Sequence, residues 1–119
     1  MVTGDDRRMR ELTYLNGRWW DWQVDQWDTS VLRLRADNDL TYHHSVEVTF
    51  TEVVWASSAD LFHHPVFRAP TPAELAFAQQ VVNDDGYRVF TWDAETAAAT
   101  VPMMVIAQSV RVTEGIVRH

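Results

Sequence analysis

The chain has 119 residues, ten basic against 17 acidic side chains and no cysteine. This length supports one domain around a single core, and the missing cysteines exclude disulfides, thiolate metal sites and a cysteine nucleophile. A formal charge of −7 argues against nucleic-acid binding, because phosphates are neutralised by a basic surface. All ten basic residues are arginine, which excludes a lysine Schiff base and a P-loop lysine.

Residues 1–10 are polar and follow no pattern. We expect them to form a disordered tail that precedes a single globular domain over residues 11–119. No stretch approaches the ~20 apolar residues of a membrane span, and the N-terminus lacks the apolar core of a signal peptide. The sequence therefore predicts a cytoplasmic protein with no membrane contact.

Beyond the tail, apolar and polar residues alternate with period two, as in strands with one buried face. In residues 18–28 the even positions, among them Trp20 and Trp22, predict the inner face. A second strand is predicted over residues 31–36 and a third over residues 40–55. Because the third stretch is long for one strand, we expect a bend or bulge in it.

The alternation stops in residues 56–70, which predict an ordered loop. A helix start follows, with Thr71 as N-cap, Pro72 in the first helical position and Glu74 in the third, the pattern of a capping box. This helix is predicted to end near residue 83 and to lie on the sheet through its one apolar face.

Two more strands are predicted over residues 87–93 and 101–113. Residues 103–106 are apolar at every position, which is typical of a central strand covered on both faces. Together these elements predict a mainly β or α+β fold. We expect an antiparallel curled sheet or half-open barrel of five to six strands, with one α-helix at about residues 72–83 packed on it.

The first candidate site is a tryptophan-rich strand. If the even positions face inward, Trp19 and Trp27 flank Asp21, Gln23 and Asp25 on the outer face. Two rings beside two carboxylates can bind arginine or lysine from a partner through charge pairing and cation–π contact. In the alternative, the N-terminal segment or the helix covers this face and the rings belong to the core.

The second candidate site is an interior pocket. His44 and Glu52 fall on one predicted inner face among apolar neighbours, where an imidazole and a carboxylate can serve as acid and base or as polar handles for a ligand. A bend near Glu52 would instead turn it into solvent. The predicted pocket residues are Trp20, Trp22, Tyr42, His44, Phe50 and Glu52.

Histidines occur as two adjacent pairs, at residues 43–44 and 63–64. Neighbouring residues on a strand point to opposite faces, so the members of one pair do not ligate one metal together. We therefore predict no metal site and no cofactor.

These observations favour a non-catalytic interaction module that presents an acidic, tryptophan-rich face to a basic protein partner. In general character it resembles immunity proteins, which neutralise bacterial toxins through opposite charge. The alternative is a small-molecule-binding β-barrel, which becomes an enzyme if His44 and Glu52 do chemistry. An exposed strand edge or aromatic face would also permit pairing, so a monomer and a homodimer both stay open.

Overall fold

A computed structural model describes residues 6–37 and 43–118, with the backbone alone described at residues 6–9, 43, 44 and 116–118. Two helices are present in these ranges, α1 (Asp6–Thr13) and α2 (Pro72–Val81), and neither is long and apolar enough to cross a membrane. The strands are β1 (Asp21–Trp27), β2 (Val31–Asp37), β3 (His43–Thr51), β4 (Trp55–Ser57), β5 (Leu61–Arg68), β6 (Arg88–Glu95), β7 (Thr100–Ala107) and β8 (Ser109–Arg118).

The eight described strands form one antiparallel sheet in the order β4-β7-β6-β5-β1-β2-β3-β8. A mainly β fold with an antiparallel sheet is therefore confirmed. The prediction of five to six strands is only roughly right and too low, because residues 56–70 contain strands and because the chain divides at Gln108 into β7 and β8. The prediction of one helix missed α1, which includes residues 6–10 of the expected tail.

Strand β5 occupies most of the stretch that was predicted to be a loop. Its pairing with β6 shifts between His63 and Val66, and His64 has a left-handed backbone with φ of 49°. Such a bulge adds a residue and changes which alternate positions face inward. Phe62 and Phe67 are therefore both buried although they lie five residues apart, and this hides the period of two in the sequence.

Two bent chain segments curl the sheet. Three residues separate β3 from β4, and Gln108 alone separates β7 from β8. Across these interruptions the Val54 N–H donates to the Ile106 carbonyl at 2.9 Å, and the Gln108 N–H donates to the Thr51 carbonyl at 3.1 Å. The strands at the two ends of the sheet order are β4 and β8. Strand β4 continues the chain from β3 and β8 continues it from β7, and these two segments pair with each other along the chain. The bend expected in the long third strand is confirmed, at Glu52 with φ of 54°.

The inner face of the curled sheet is filled by aromatic rings. Neighbouring rings have centroids 5.2–6.2 Å apart, close enough for direct packing. Leu12 of α1 and Leu15 just after it are buried in the same cluster. The rings belong to Trp22, Phe50, Phe62, Phe67, Phe90 and Trp92.

Helix α2 begins with the predicted capping box. The Glu74 N–H donates to the Thr71 hydroxyl at 3.1 Å, and the Thr71 N–H donates to the Glu74 carboxylate at 2.8 Å. These bonds satisfy two of the N–H groups that a helix start leaves unpaired. The helix ends at Val81, two residues before the predicted end.

The outer face of β7 carries α2. Ala78 of the helix packs on Val89, Met104 and Ile106, while Met103 and Val105 face the aromatic core. Both faces of β7 are therefore covered, as the apolar run predicts.

Candidate functional site

The two tryptophans predicted to flank the outer face of β1 do not lie together on it. Trp19 is half-buried and packs against the core, whereas Trp27 is 54% exposed at the end of the strand. The pairing of β1 with β2 shifts between Val24 and Gln26, which places Trp27 opposite the buried Leu32. The bulge thus moves Trp27 to the other side of the strand from the polar residues before it.

The polar residues of this face are paired with arginines from β2. Arg33 Nη2 lies 2.6 Å from Asp25 Oδ2, and Arg35 Nη1 lies 3.5 Å from Asp25 Oδ1. Arg35 also donates to the side-chain oxygen of Gln23 at 2.9 Å. The charge of Asp25 is therefore largely balanced within the chain.

Asp21 has a partner on the other neighbouring strand. Its Oδ1 lies 2.9 Å from His63 Nδ1, at hydrogen-bond distance. The structure thus brings Asp21, Gln23 and Asp25 together on one face, as predicted, but each is engaged by a neighbour from the same chain. The face is less negative than its own strand sequence indicates.

Of the six residues predicted to line an interior pocket, the four whose side chains the structure describes do not converge on one. Trp22 and Phe50 are fully buried among the core rings. The inward positions predicted for Trp20 and Glu52 are wrong. Trp20 precedes the first residue of β1 and is 55% exposed, and Glu52 is exposed at the left-handed bend between β3 and β4.

Tyr42 lies outside the described residues. For His44 the structure gives the position on β3 and no side chain. Over the ranges that are described, no three histidine or acidic side chains converge in a way that would hold a metal ion.

A groove of about 220 Å³ lies between α2 and β4, and we call it the α2–β4 groove. Trp55 and Phe77 both line it and contact each other, with ring centroids 5.2 Å apart and planes at 68°. These two side chains are 42% and 38% exposed. The walls and floor are formed by Trp55, Ser57, Glu74, Phe77, Pro102, Met103 and Met104.

Strand register and one arginine position the two walls of the groove. Ser57 pairs with Met104 on β7, which sets the height of β4 beside the floor. On the other side Arg68 donates to Glu74 at 2.7 Å and to Asp93 at 2.9 Å, and so ties the first turn of α2 to β5 and β6. The hydrogen bond from Arg68 lowers the pKa of Glu74, against the opposing effect of burial.

The sequence interpretation missed this groove. Trp55 is the last residue of the predicted third strand, and Phe77 lies inside the predicted helix. Phe77 lies beyond the buried stripe of α2, which is the signal that an aromatic ring remains available at the helix surface. Its contact with Trp55 depends on the tertiary position of β4, which no local pattern indicates.

Charge is unevenly distributed along the chain. Residues 52–110 contain seven acidic side chains and two arginines, and thus account for −5 of the formal charge of −7. Within them Glu52, Asp60 and Glu95 are exposed and form no salt bridge in the described part of the chain. This region, which we call the acidic half, includes both walls of the groove.

Comparisons with family models, with curated proteins and with solved structures found no match.

Proposed function

We propose that the protein is a non-catalytic interaction module, and that it binds a basic protein partner through its acidic half. The observation that carries this proposal is the exposed pair Trp55 and Phe77 within the acidic half. Aromatic anchors are enriched at the centres of protein interfaces. Opposite charge around such anchors speeds association and selects the partner.

The acidic half is a better candidate than the face of β1 because its carboxylates are less engaged. Asp25 is held by Arg33 at 2.6 Å, whereas Glu52 and Asp60 are exposed without a salt bridge to described residues. Uncompensated surface charge acts over about one Debye length, ~8 Å at physiological salt. A role of this kind is similar to that of immunity proteins, which oppose the charge of a basic toxin.

The small-molecule alternative has less support. The α2–β4 groove holds about 220 Å³, below the ~300–1,000 Å³ of typical ligand pockets. The interior is filled by contacting rings, among them Phe50 and Trp92. Glu52, the carboxylate expected to act there, lies at the surface.

The proposal is tested by capture from a lysate of the source cells at increasing salt, with protein identification by mass spectrometry. Immobilised wild-type protein should retain a small set of basic proteins that elute as salt is raised, because the attraction is electrostatic. The double variant Asp60→Asn/Glu95→Gln should retain at least several-fold less of them.

The matched control is Asp28→Asn/Glu114→Gln, which removes the same charge from exposed positions outside the acidic half. It should retain these proteins nearly as well as the wild type. Equal retention by both double variants, or retention of proteins that are not basic, would contradict the proposal.

A further inference from the structure

We infer that the α2–β4 groove receives one apolar side chain of the partner, carried on a segment whose flanking residues are basic. This inference rests on the proposed function and names the contact through which it operates. It follows from the size of the groove, the rings that line it and the exposed carboxylates on either side of β4 in the chain.

The size of the groove favours a single side chain. At about 220 Å³ it is smaller than the pockets that enclose typical small ligands. Its floor includes Met104, which packs on the α2 side of β7 and whose unbranched side chain adapts to the shape of an apolar guest. Its aromatic wall is the corner formed by Trp55 and Phe77, with planes at 68°.

The same rings supply the driving force for binding. Trp55 and Phe77 each leave more than a third of their surface in water. Val54, next to Trp55, is also exposed, at 44%. Covering this apolar patch is favourable because it removes apolar surface from water, and a desolvated aromatic pocket is a common location of binding hot spots.

The charges place the basic residues of the partner beside the anchor and not inside the groove. Glu74 lines the groove, but its two oxygens accept from Arg68 at 2.7 and 3.0 Å. By contrast, Glu52 lies three residues before Trp55, and Asp60 lies three residues after Ser57, both exposed. No arginine or lysine occurs in residues 52–67 or 69–87 to repel a basic segment.

The groove is formed before the partner arrives. Arg68 fixes the start of α2 to β6 through Glu74 and Asp93, and β4 is held by its ladder with β7. A site built from fixed elements loses little conformational entropy on binding.

The inference is tested by selecting a phage-displayed library of random 12-residue peptides on the wild-type protein. Enriched peptides should share one large apolar residue flanked by arginine or lysine. A synthetic peptide with the consensus sequence should bind the Phe77→Ala variant at least tenfold more weakly than the wild type. Replacing the apolar residue of the peptide with alanine should weaken binding to the wild-type protein by a similar factor. The same replacement should weaken binding to the Phe77→Ala variant only slightly further, because the contact is already lost there.

Two further variants separate the groove from general effects on folding. Ser57→Phe fills the groove from an exposed position on β4 and should block the peptide while both rings remain. Trp27→Ala removes a more exposed ring elsewhere and should change the affinity less than twofold. Circular dichroism and urea unfolding establish that each variant is folded.

The outcomes distinguish the inference from the proposed function. One outcome is a set of basic peptides that share no apolar residue. If they bind Phe77→Ala as well as the wild type but lose binding to Asp60→Asn/Glu95→Gln, the groove is overturned as the binding site. The acidic half then remains the binding surface. Enriched peptides without basic residues, whose binding ignores the acidic double variant, would overturn both. A selection that enriches nothing overturns the groove, and the lysate experiment then decides the proposed function separately.

Discussion

Phe50 on β3 and Trp92 on β6 stack within 5° of parallel, with ring centroids 6.2 Å apart. Three strands, β5, β1 and β2, lie between them in the sheet. At ~4.8 Å for each step between strands, a flat sheet would hold the two positions roughly 19 Å apart. The contact therefore requires a strongly curled sheet, and its rings occupy the interior that a ligand-binding barrel would leave open.

The two tryptophans of the core should differ in what they contribute to stability. Trp22 and Trp92 are both fully buried, but Trp22 Nε1 donates to the Trp19 carbonyl at 3.1 Å, while Trp92 Nε1 has no partner among the described residues. Trp22→Phe should therefore reduce the free energy of unfolding by about 1 kcal/mol more than Trp92→Phe, because it alone loses a hydrogen bond. Urea denaturation at 25 °C measures both, and equal losses would show that the prediction is wrong.

Arg68 should be the surface cation that matters most for folding. It is only a quarter exposed and bonds Glu74 and Asp93 together. Arg68→Met should reduce the free energy of unfolding by about 2 kcal/mol, because it removes charge-assisted hydrogen bonds and leaves Glu74 without its cation.

The control for Arg68 is Glu114→Gln, which breaks the exposed pair between Glu114 and Arg18 and leaves the Arg18 guanidinium over the Trp19 ring. Arg18 lies 3.5 Å from Glu114, with both side chains nearly half exposed, and an exposed pair contributes at most about 1 kcal/mol. Chemical denaturation compares the two variants. Equal losses of unfolding free energy in the two variants would mean that the Arg68 link between α2 and the sheet stabilises the fold no more than an exposed surface pair does.

Stability should fall in acid partly through Glu74. The hydrogen bond from Arg68 lowers the pKa of Glu74 below its ordinary value of 4.5 in the folded chain. At a pH between the pKa of Glu74 in the folded chain and its pKa in the unfolded chain, the unfolded chain binds more protons. The contribution of Glu74 to the free energy of unfolding is therefore complete above the unfolded pKa, and it is lost as the pH falls through the folded pKa. Unfolding free energies measured from pH 6 to pH 3 should decline more steeply for the wild type than for Glu74→Gln, and parallel curves would contradict this assignment.

Local signals were sufficient for α2 and for β7. Thr71, Pro72 and Glu74 lie adjacent in sequence and form their capping bonds within one turn, so neighbouring residues determine where the helix starts. The apolar run at residues 103–106 likewise predicts burial on two faces without knowledge of the covering elements. Patterns of this kind depend on short-range geometry and are visible in one sequence.

Local sequence patterns did not predict the bulges or the partners that strands contribute to each other. The bulge near Asp25 reverses the side on which Trp27 lies, and the bulge after His63 conceals β5. The pairing of Asp25 with Arg33 depends on strand register, as the groove depends on where β4 meets α2. A shift of one residue reverses every face that follows it, so the candidate site required the tertiary structure.

Trp19 and Trp27 now have opposite expected roles, although both were predicted to be exposed anchors. Trp19 packs against the core and its main-chain carbonyl accepts from Trp22, so Trp19→Ala should cost about 2 kcal/mol of unfolding free energy through lost apolar burial. Trp27 is 54% exposed, and Trp27→Ala should cost less than about 0.5 kcal/mol. Urea denaturation of the two single variants measures the difference.

Acrylamide quenching of the wild type and each variant gives an independent readout. Removing Trp27 should lower the accessible fraction of the fluorescence, and removing Trp19 from a chain that stays folded should raise it. A large loss of stability in Trp27→Ala would instead place that ring in the core and contradict its exposure at the end of β1.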